Sequence, residues 1–267
     1  MSKGIVNCGK WAAWKGLAEM DKYLEFSGKL PNNRNAVVMY HAVGETGYER
    51  VSTERFRRDI SYMSEHYEIV GLEEALKNTT TGPKKIAITF DDALENVYQN
   101  AIPILKEVDA PATVFAVADY ISDGSTKENN EYMNLTQLKS LVDDNLFTIG
   151  NHTKSHPHLG RLAKQSAIER EIVQAKKDLE NQLETDINRF SYPYGSYTGH
   201  VANVVADTHE MATTTESRLL GGSPERALIP RLDAKYDFSL LRWELSDTSG
   251  IVKSAAHRLG VIESVDF

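Results

Sequence analysis

Lys85-Ile-Ala-Ile-Thr-Phe-Asp-Asp92 is an apolar run that ends abruptly in two carboxylates. Gly82-Pro83 breaks the chain before it, so residues 85–90 read as a short strand bounded by turn chemistry. The run shows no polar alternation, as expected of a strand buried on both faces of a parallel sheet beneath helices. Similar runs lie on both sides: AVVMY (36–40), YEIV (67–70), PATVFAVA (111–118), LFTIG (146–150), RFSY (189–192), EMATTT (210–215) and ALIP (227–230) as a possible eighth. Helical periodicity separates them. Ser52 or Thr53 can cap a helix carrying Phe56, Ile60 and Met63. The stretch ALENVYQNAIPILKEV reads as a helix with a break at Pro103, and Asn134 with Gln137 as a capping box. Residues 163–184 form the clearest helix, and 237–258 reads as helical again. Seven or eight strand–helix units predict an α/β fold, an irregular (β/α) barrel of about seven parallel strands rather than an open sheet.

The chain has 267 residues, 41% hydrophobic and 25% charged, which excludes a disordered or low-complexity protein. Thirty basic against 38 acidic residues leave a net charge of −8, which argues against a nucleic-acid footprint. Cys8 is the single cysteine, so there is neither an internal disulfide nor a thiolate metal cluster. No window is apolar enough to span a membrane, and the N-terminus does not look like a signal peptide, so the expected location is cytoplasmic. Trp11, Trp14, Leu17, Met20, Tyr23 and Leu24 recur at near-helical spacing, and a linker starts at Pro31. Residues 1–34 are therefore read as a helical extension and 35–267 as the barrel domain. The extension is expected to pack on the barrel. Docking on a partner or a membrane surface is the weaker alternative, because its charges are mixed.

In a parallel barrel, chemistry collects where strands end. Tyr40 and His41 follow the first run, Asp91 and Asp92 the third, and Asn151, His152 and His156 the fifth; Tyr192, Pro193, Tyr194 and Gly195 follow the sixth, and Arg231 the last. Asp91-Asp92 taken alone could be a helix N-cap. A cation would instead relieve their repulsion, take one carboxylate as a ligand and leave the other as a free base. His152 and His156 are four apart, and Pro157 disfavours a helix there, so both imidazoles can reach one ion from a loop. Two histidines and one carboxylate leave an open coordination position, the arrangement of a catalytic site, and imidazole favours zinc-like ions. His158 reads as a bystander. His66, His200 and His209 show no partner pattern, Lys84-Lys85 reads as a solvated pair, and Trp243 as a core residue more readily than a groove-lining one.

Thr89-Phe90-Asp91-Asp92, His152-Thr-Lys-Ser-His156-Pro157 and Tyr192-Pro193-Tyr194-Gly195, in that order, resemble the first three motifs of the polysaccharide deacetylase (NodB-homology) family. The resemblance spans roughly residues 36–235. It implies a seven-stranded irregular barrel that removes N- or O-acetyl groups from glycans with one divalent metal, zinc first, with cobalt, nickel or manganese as alternatives. It further implies that Asp91 is the general base acting on the metal-bound water, and that Asp92, His152 and His156 are the metal ligands. Tyr194 would hold the oxyanion through its main-chain N–H, and with Pro193 and Tyr192 would line the substrate groove.

Two departures shift the remaining roles. The family pattern has an arginine where this chain has Ser191, and Arg189 lies two residues further back, about 6–7 Å along a strand. Arg231, in Ile-Pro-Arg-Leu-Asp, is the better candidate to hold Asp91 charged; the alternative is a surface ion pair with Asp233. The C-terminal Leu-x-His motif is absent, and His257 sits in a helical stretch. Val-Met-Tyr40-His41 resembles the start of the poly-N-acetylglucosamine deacetylase branch, so His41 is read as the acid. The expected function is hydrolysis of an N-acetyl group on an N-acetylhexosamine unit of a glycan or of a cytoplasmic, lipid- or nucleotide-linked precursor. The alternatives are a metal-dependent hydrolase of a non-peptide C–N bond in a small molecule, an inactive glycan-binding module, and a partner-binding protein using the N-terminal helix.

Overall fold

The structure is a computed structural model that describes residues 15–21, 23, 34–47, 49–77, 82–121, 126–127, 130–222 and 224–258. Cys8, Trp11, Trp14, Leu24, the linker from Pro31 and much of the polar loop after Ile121 lie outside the described residues, as does the side chain of His257. No helix among the described residues is long and apolar enough to cross a membrane.

The strands are β1 (Ala36–Tyr40), β2 (Glu68–Ile69), β3 (Lys85–Phe90), β4 (Ala112–Ala116), β5 (Phe147–Asn151), β6 (Arg189–Ser191), β7 (Met211–Thr213) and β8 (Leu232–Asp233). They form one parallel sheet in the order β8-β1-β3-β4-β5-β6-β7, with β2 against the start of β3. Ile229 bridges to Thr213 of β7, and Leu232 pairs with Val38 of β1, so the chain between them links the two ends of the sheet. The irregular barrel read from the sequence is the fold. One boundary moves: in 227–230 only Ile229 is bridged, and the last paired strand is β8, because Pro230 has no N–H to give a ladder.

The helices follow their local chemistry. In α1 (Thr53–His66) the Ser52 hydroxyl accepts from the Arg55 N–H at 3.2 Å, and Phe56, Ile60 and Met63 are buried. Ahead of α2 (Ile102–Glu107) the helix loosens into a π turn, Val97–Ala101, where Pro103 removes a donor. The capping box of α3 (Leu135–Val142) is present, with Asn134 and Gln137 bonded reciprocally at 3.0 and 2.8 Å. α4 covers 165–183 and contains a second π turn, Arg170–Gln174. After α5 (Gly199–Thr208), the stretch 237–258 divides into α6 (Phe238–Glu244) and α7 (Asp247–Arg258). Residues 15–21 are helical, with Ala18 buried against Leu240 and Trp243, and Arg242 3.1 Å from the buried Asp21. Trp243 is therefore core. Lys85, read as solvated, is buried and ion-paired to Glu74.

The strands are buried along nearly their whole length, which is why their sequences show no alternation. Since all run parallel, their C-terminal ends share one rim.

Candidate active site

Residues from six of those strand ends line a cleft of about 290 Å³, which contains His41, Asp91, Asp92, His152, His156, Tyr194, Asp233 and Lys235. The backbone around it is strained. Asp92, Ala93, Thr153, His156 and Tyr194 all have positive φ, five of the eight non-glycine residues so placed among the described residues. Each costs of order 1–3 kcal/mol unless its surroundings enforce it, and such residues cluster where side chains must converge.

They converge here on one carboxylate oxygen. Nε2 of His152 lies 3.6 Å and Nε2 of His156 3.4 Å from Oδ1 of Asp92. One ligand atom from each residue lies within 4.8 Å of the others. Nδ1 of His152 is 2.9 Å from the Ser191 carbonyl, an acceptor, so Nδ1 carries the proton and Nε2 presents its lone pair. Burial, then the neighbouring His152, holds His156 down to about 3, so at neutral pH it is an uncharged imidazole. Burial raises Asp92. Two imidazole nitrogens and a carboxylate oxygen converging on one point are what a cation relieves, so the donor set fits a divalent metal.

Asp91 points elsewhere. Its two oxygens receive both Arg231 terminal nitrogens at 2.7 and 2.7 Å, and both residues are buried. Burial pushes the Asp91 carboxyl up, but the Arg231 charge, then His152, more than offset this and hold it well below the usual carboxylate range. Arg231 also donates to Thr89 Oγ1 (3.2 Å), Ser191 Oγ (2.9 Å) and the Thr214 carbonyl (3.0 Å). Ser191 thus leaves room for the guanidinium that arrives from the neighbourhood of β8. The surface pair with Asp233 does not form, because Lys235 takes Asp233 at 2.9 Å. Arg189 sits at the start of β6, two residues from Ser191, and makes no contact with Asp91 among the interactions described.

His41 lines the same cleft, with Nδ1 3.4 Å from Glu49, which in turn accepts from Lys235 at 2.8 Å. Of the three aromatic-motif residues expected at the substrate, only Tyr194 lines the cleft. Tyr192 is buried with its ring edge-on to Phe190 (5.1 Å, 75°), and Pro193 is buried in the turn. That correction follows from strand alternation, which sends Tyr192 to the core. Tyr194 is 53% exposed, 3.2 Å from His156 Nδ1 through its hydroxyl, and stacked on His158 at 4.0 Å. His158 is not among the converging ligand residues, and its contact is this stacking on Tyr194. Glu49 and Lys235 escape the sequence reading, and Thr89 and Ser191 enter it only as motif positions, without their contacts to Arg231. Only Ser191, polar between Phe190 and Tyr192, carried a local signal.

His209 shows no partner pattern in the sequence, yet it is buried, with Nε2 3.2 Å from Asn151 Nδ2 and Nδ1 2.9 Å from Thr208 Oγ1. Burial holds it down to about 3. A lowered histidine contributes stability above its unfolded value of about 6.5 and loses it as pH falls, since the unfolded chain then binds the extra proton. Between pH 7 and 5 this residue should cost about 2 kcal/mol. Urea melts of the wild type should fall over that interval by that much more than melts of His209→Gln; parallel pH profiles would refute it.

The sequence profile of the polysaccharide deacetylase family matches residues 78–211, half of the chain. The chain belongs to the polysaccharide deacetylase family. Its relatives include YxkH of Bacillus subtilis (strain 168), whose name assigns it to the polysaccharide deacetylases, at 27% identity over 72% of this chain and 66% of that one, just under two thirds of the relative's length. The poly-beta-1,6-N-acetyl-D-glucosamine N-deacetylase of Staphylococcus aureus (strain MRSA252) is 23% identical over 79% and 77%. Among solved structures, the Streptococcus pyogenes deacetylase PplD in complex with acetate superposes with a TM-score of 0.66 at 24% identity, covering 76% of this chain and 93% of that one. IcaB from Ammonifex degensii gives 0.69 at 20%, covering 79% and 96%. These likenesses establish the deacetylase barrel as the fold.

Proposed function

We propose that this polysaccharide deacetylase hydrolyses the N-acetyl group of an N-acetylhexosamine unit in a glycan, using one divalent transition metal, zinc first. The observation that carries the reading is the convergence of Asp92, His152 and His156 beside an Asp91 clamped by Arg231. A relative named for poly-N-acetylglucosamine supports the sugar class. Asp92 and the two Nε2 atoms would hold the metal, which when bound supplies a Lewis acid for the acetyl carbonyl and lowers the pKa of a water.

This chain's own residues do the rest. Asp91, kept ionised by Arg231, takes a proton from the attacking water. The Arg231 pair weakens it as a base, so its part is to receive a proton already made labile, in a fixed place. The Tyr194 main-chain N–H, in a turn at φ 57°, is the donor assigned to the developing oxyanion. His41, its Nδ1 turned to Glu49, delivers a proton from Nε2 to the departing nitrogen. Water's oxygen bonds to the acetyl carbon, the C–N bond breaks, and acetate and the free amine leave.

Zinc-loaded wild type should release acetate from N-acetylglucosamine oligomers. His41→Ala should keep the metal and lose about 10²–10⁴ in rate, the usual worth of a positioned acid. Metal without acetate on any oligomer would refute the glycan reading and leave the small C–N substrates. An unimpaired His41→Ala would remove His41 from the acid role.

A further inference from the structure

The loop that carries both histidine ligands is not held by its own strand alone. It is gripped by the π turn of α4. The Lys154 N–H donates to the Glu171 carbonyl at 3.1 Å, and Asn151 Nδ2 to the Ile172 carbonyl at 3.0 Å. The Glu171 carboxylate takes the Ser155 N–H at 2.8 Å and the Ser155 hydroxyl at 3.0 Å. Glu171 itself is 1% exposed. A regular α-helix uses its carbonyls within its own ladder. A π turn shifts the ladder, so carbonyls there can accept from outside, and such turns recur at functional sites. The grip falls between Thr153 and His156, the two left-handed residues of the loop (φ 71° and 59°), whose strain needs an outside restraint.

We infer that Glu171 is a positioning residue for the metal site, holding the loop 152–156 in its strained shape before any ion arrives. It touches neither ligand directly. It acts through Ser155 and Lys154, which fix the peptide units between His152 and His156. A carboxylate suits the task because it accepts two donors at once from a single residue. The inference rests on the metal reading above, and the pairing of measurements keeps the two apart.

The test compares the full-length wild type, Glu171→Gln and Ser155→Ala. Zinc alone is titrated against a chromophoric chelator, and amide hydrogen exchange is followed at Thr153 and His156 in the metal-free proteins. Glu171→Gln should weaken zinc about tenfold, the low end of what outer-layer partners cost a metal site. Exchange at both amides should quicken. Ser155→Ala, which keeps the N–H and loses the hydroxyl, should fall between, and it carries the test if Glu171→Gln does not fold. A Kd within twofold of wild type, with exchange unchanged at both amides and only the urea midpoint lowered, would mean that Glu171 is merely structural and overturn the inference. Wild type that binds no zinc would overturn the metal reading and this inference together, and is recognised before any variant is measured.

Discussion

Arg231→Met destabilises the protein by about 3–5 kcal/mol at pH 7, the usual result of leaving one partner of a buried ion pair uncompensated. The reason is local. Asp91 is buried and receives both terminal nitrogens at 2.7 Å, while Thr89, Ser191 and the Thr214 carbonyl lose a donor at the same moment. For a chain of this size the loss corresponds to a fall in Tm of roughly 10 °C. The sign with pH is specific. In the wild type Asp91 is held below the usual range, so it stays ionised down through ordinary acid conditions. Without Arg231 the largest opposing charge is gone, and burial raises the carboxyl against the weaker pull of His152 and His41. A raised carboxylate contributes stability at low pH and loses it as pH rises, so the deficit of the variant should shrink between pH 7 and 5. Asp91→Asn in the same chain should recover part of the loss, because no charge is then stranded. Urea melts of the three proteins measure all of this. A cost under about 1 kcal/mol, or a deficit that widens on acidification, would contradict the clamp.

His152→Ala empties the proposed metal site and lowers acetate release by at least about a thousandfold, equivalent to some 4 kcal/mol of lost transition-state stabilisation. Nε2 of His152 is one of three donors, and a site with only Asp92 and His156 falls short of the three protein ligands usual for catalytic zinc. Asp91→Asn is the contrasting case. Asp91 is committed to Arg231 rather than to the ligand cluster, so that variant should keep about one metal per chain by elemental analysis while losing turnover by about 10²–10⁴. If His152→Ala keeps both its metal and its rate, the ligand assignment is wrong. If Asp91→Asn loses the metal, the two carboxylates have exchanged roles.

The barrel was legible because each strand is short, apolar on both faces and punctuated. Residues 85–90 could hardly be anything else between Gly82-Pro83 and Asp91-Asp92. The last strand was misplaced because Ala-Leu-Ile-Pro is the more apolar stretch. Only Ile229 of it is bridged, to β7, and pairing with β1 starts after Pro230 and Arg231. Polar residues at strand ends pointed correctly to His41, Asp91, His152 and Tyr194 as neighbours in one cleft. The same logic brought in Tyr192 and Pro193, which are core, since nearness to a motif says nothing about which face a side chain takes. His209 and Glu171 could not be found at all. Asn151, which meets His209, and Ser155, which meets Glu171, lie 58 and 16 residues away, and neither His209 nor Glu171 sits in a recognisable pattern.

By itself, the sequence determined the class of fold, the chemistry of the candidate ligands and the family motifs. These are properties of residue type and of spacing over a few positions. Tertiary structure decided the partnerships: that Arg231 reaches Asp91 across 140 residues while Lys235 takes Asp233, that Ser191 leaves room for it, and that a π turn in α4 grips the histidine loop. The physical reason is that an ion pair or hydrogen bond depends on angstrom-scale distance, and the curl of the whole sheet, which no local pattern encodes, sets those distances.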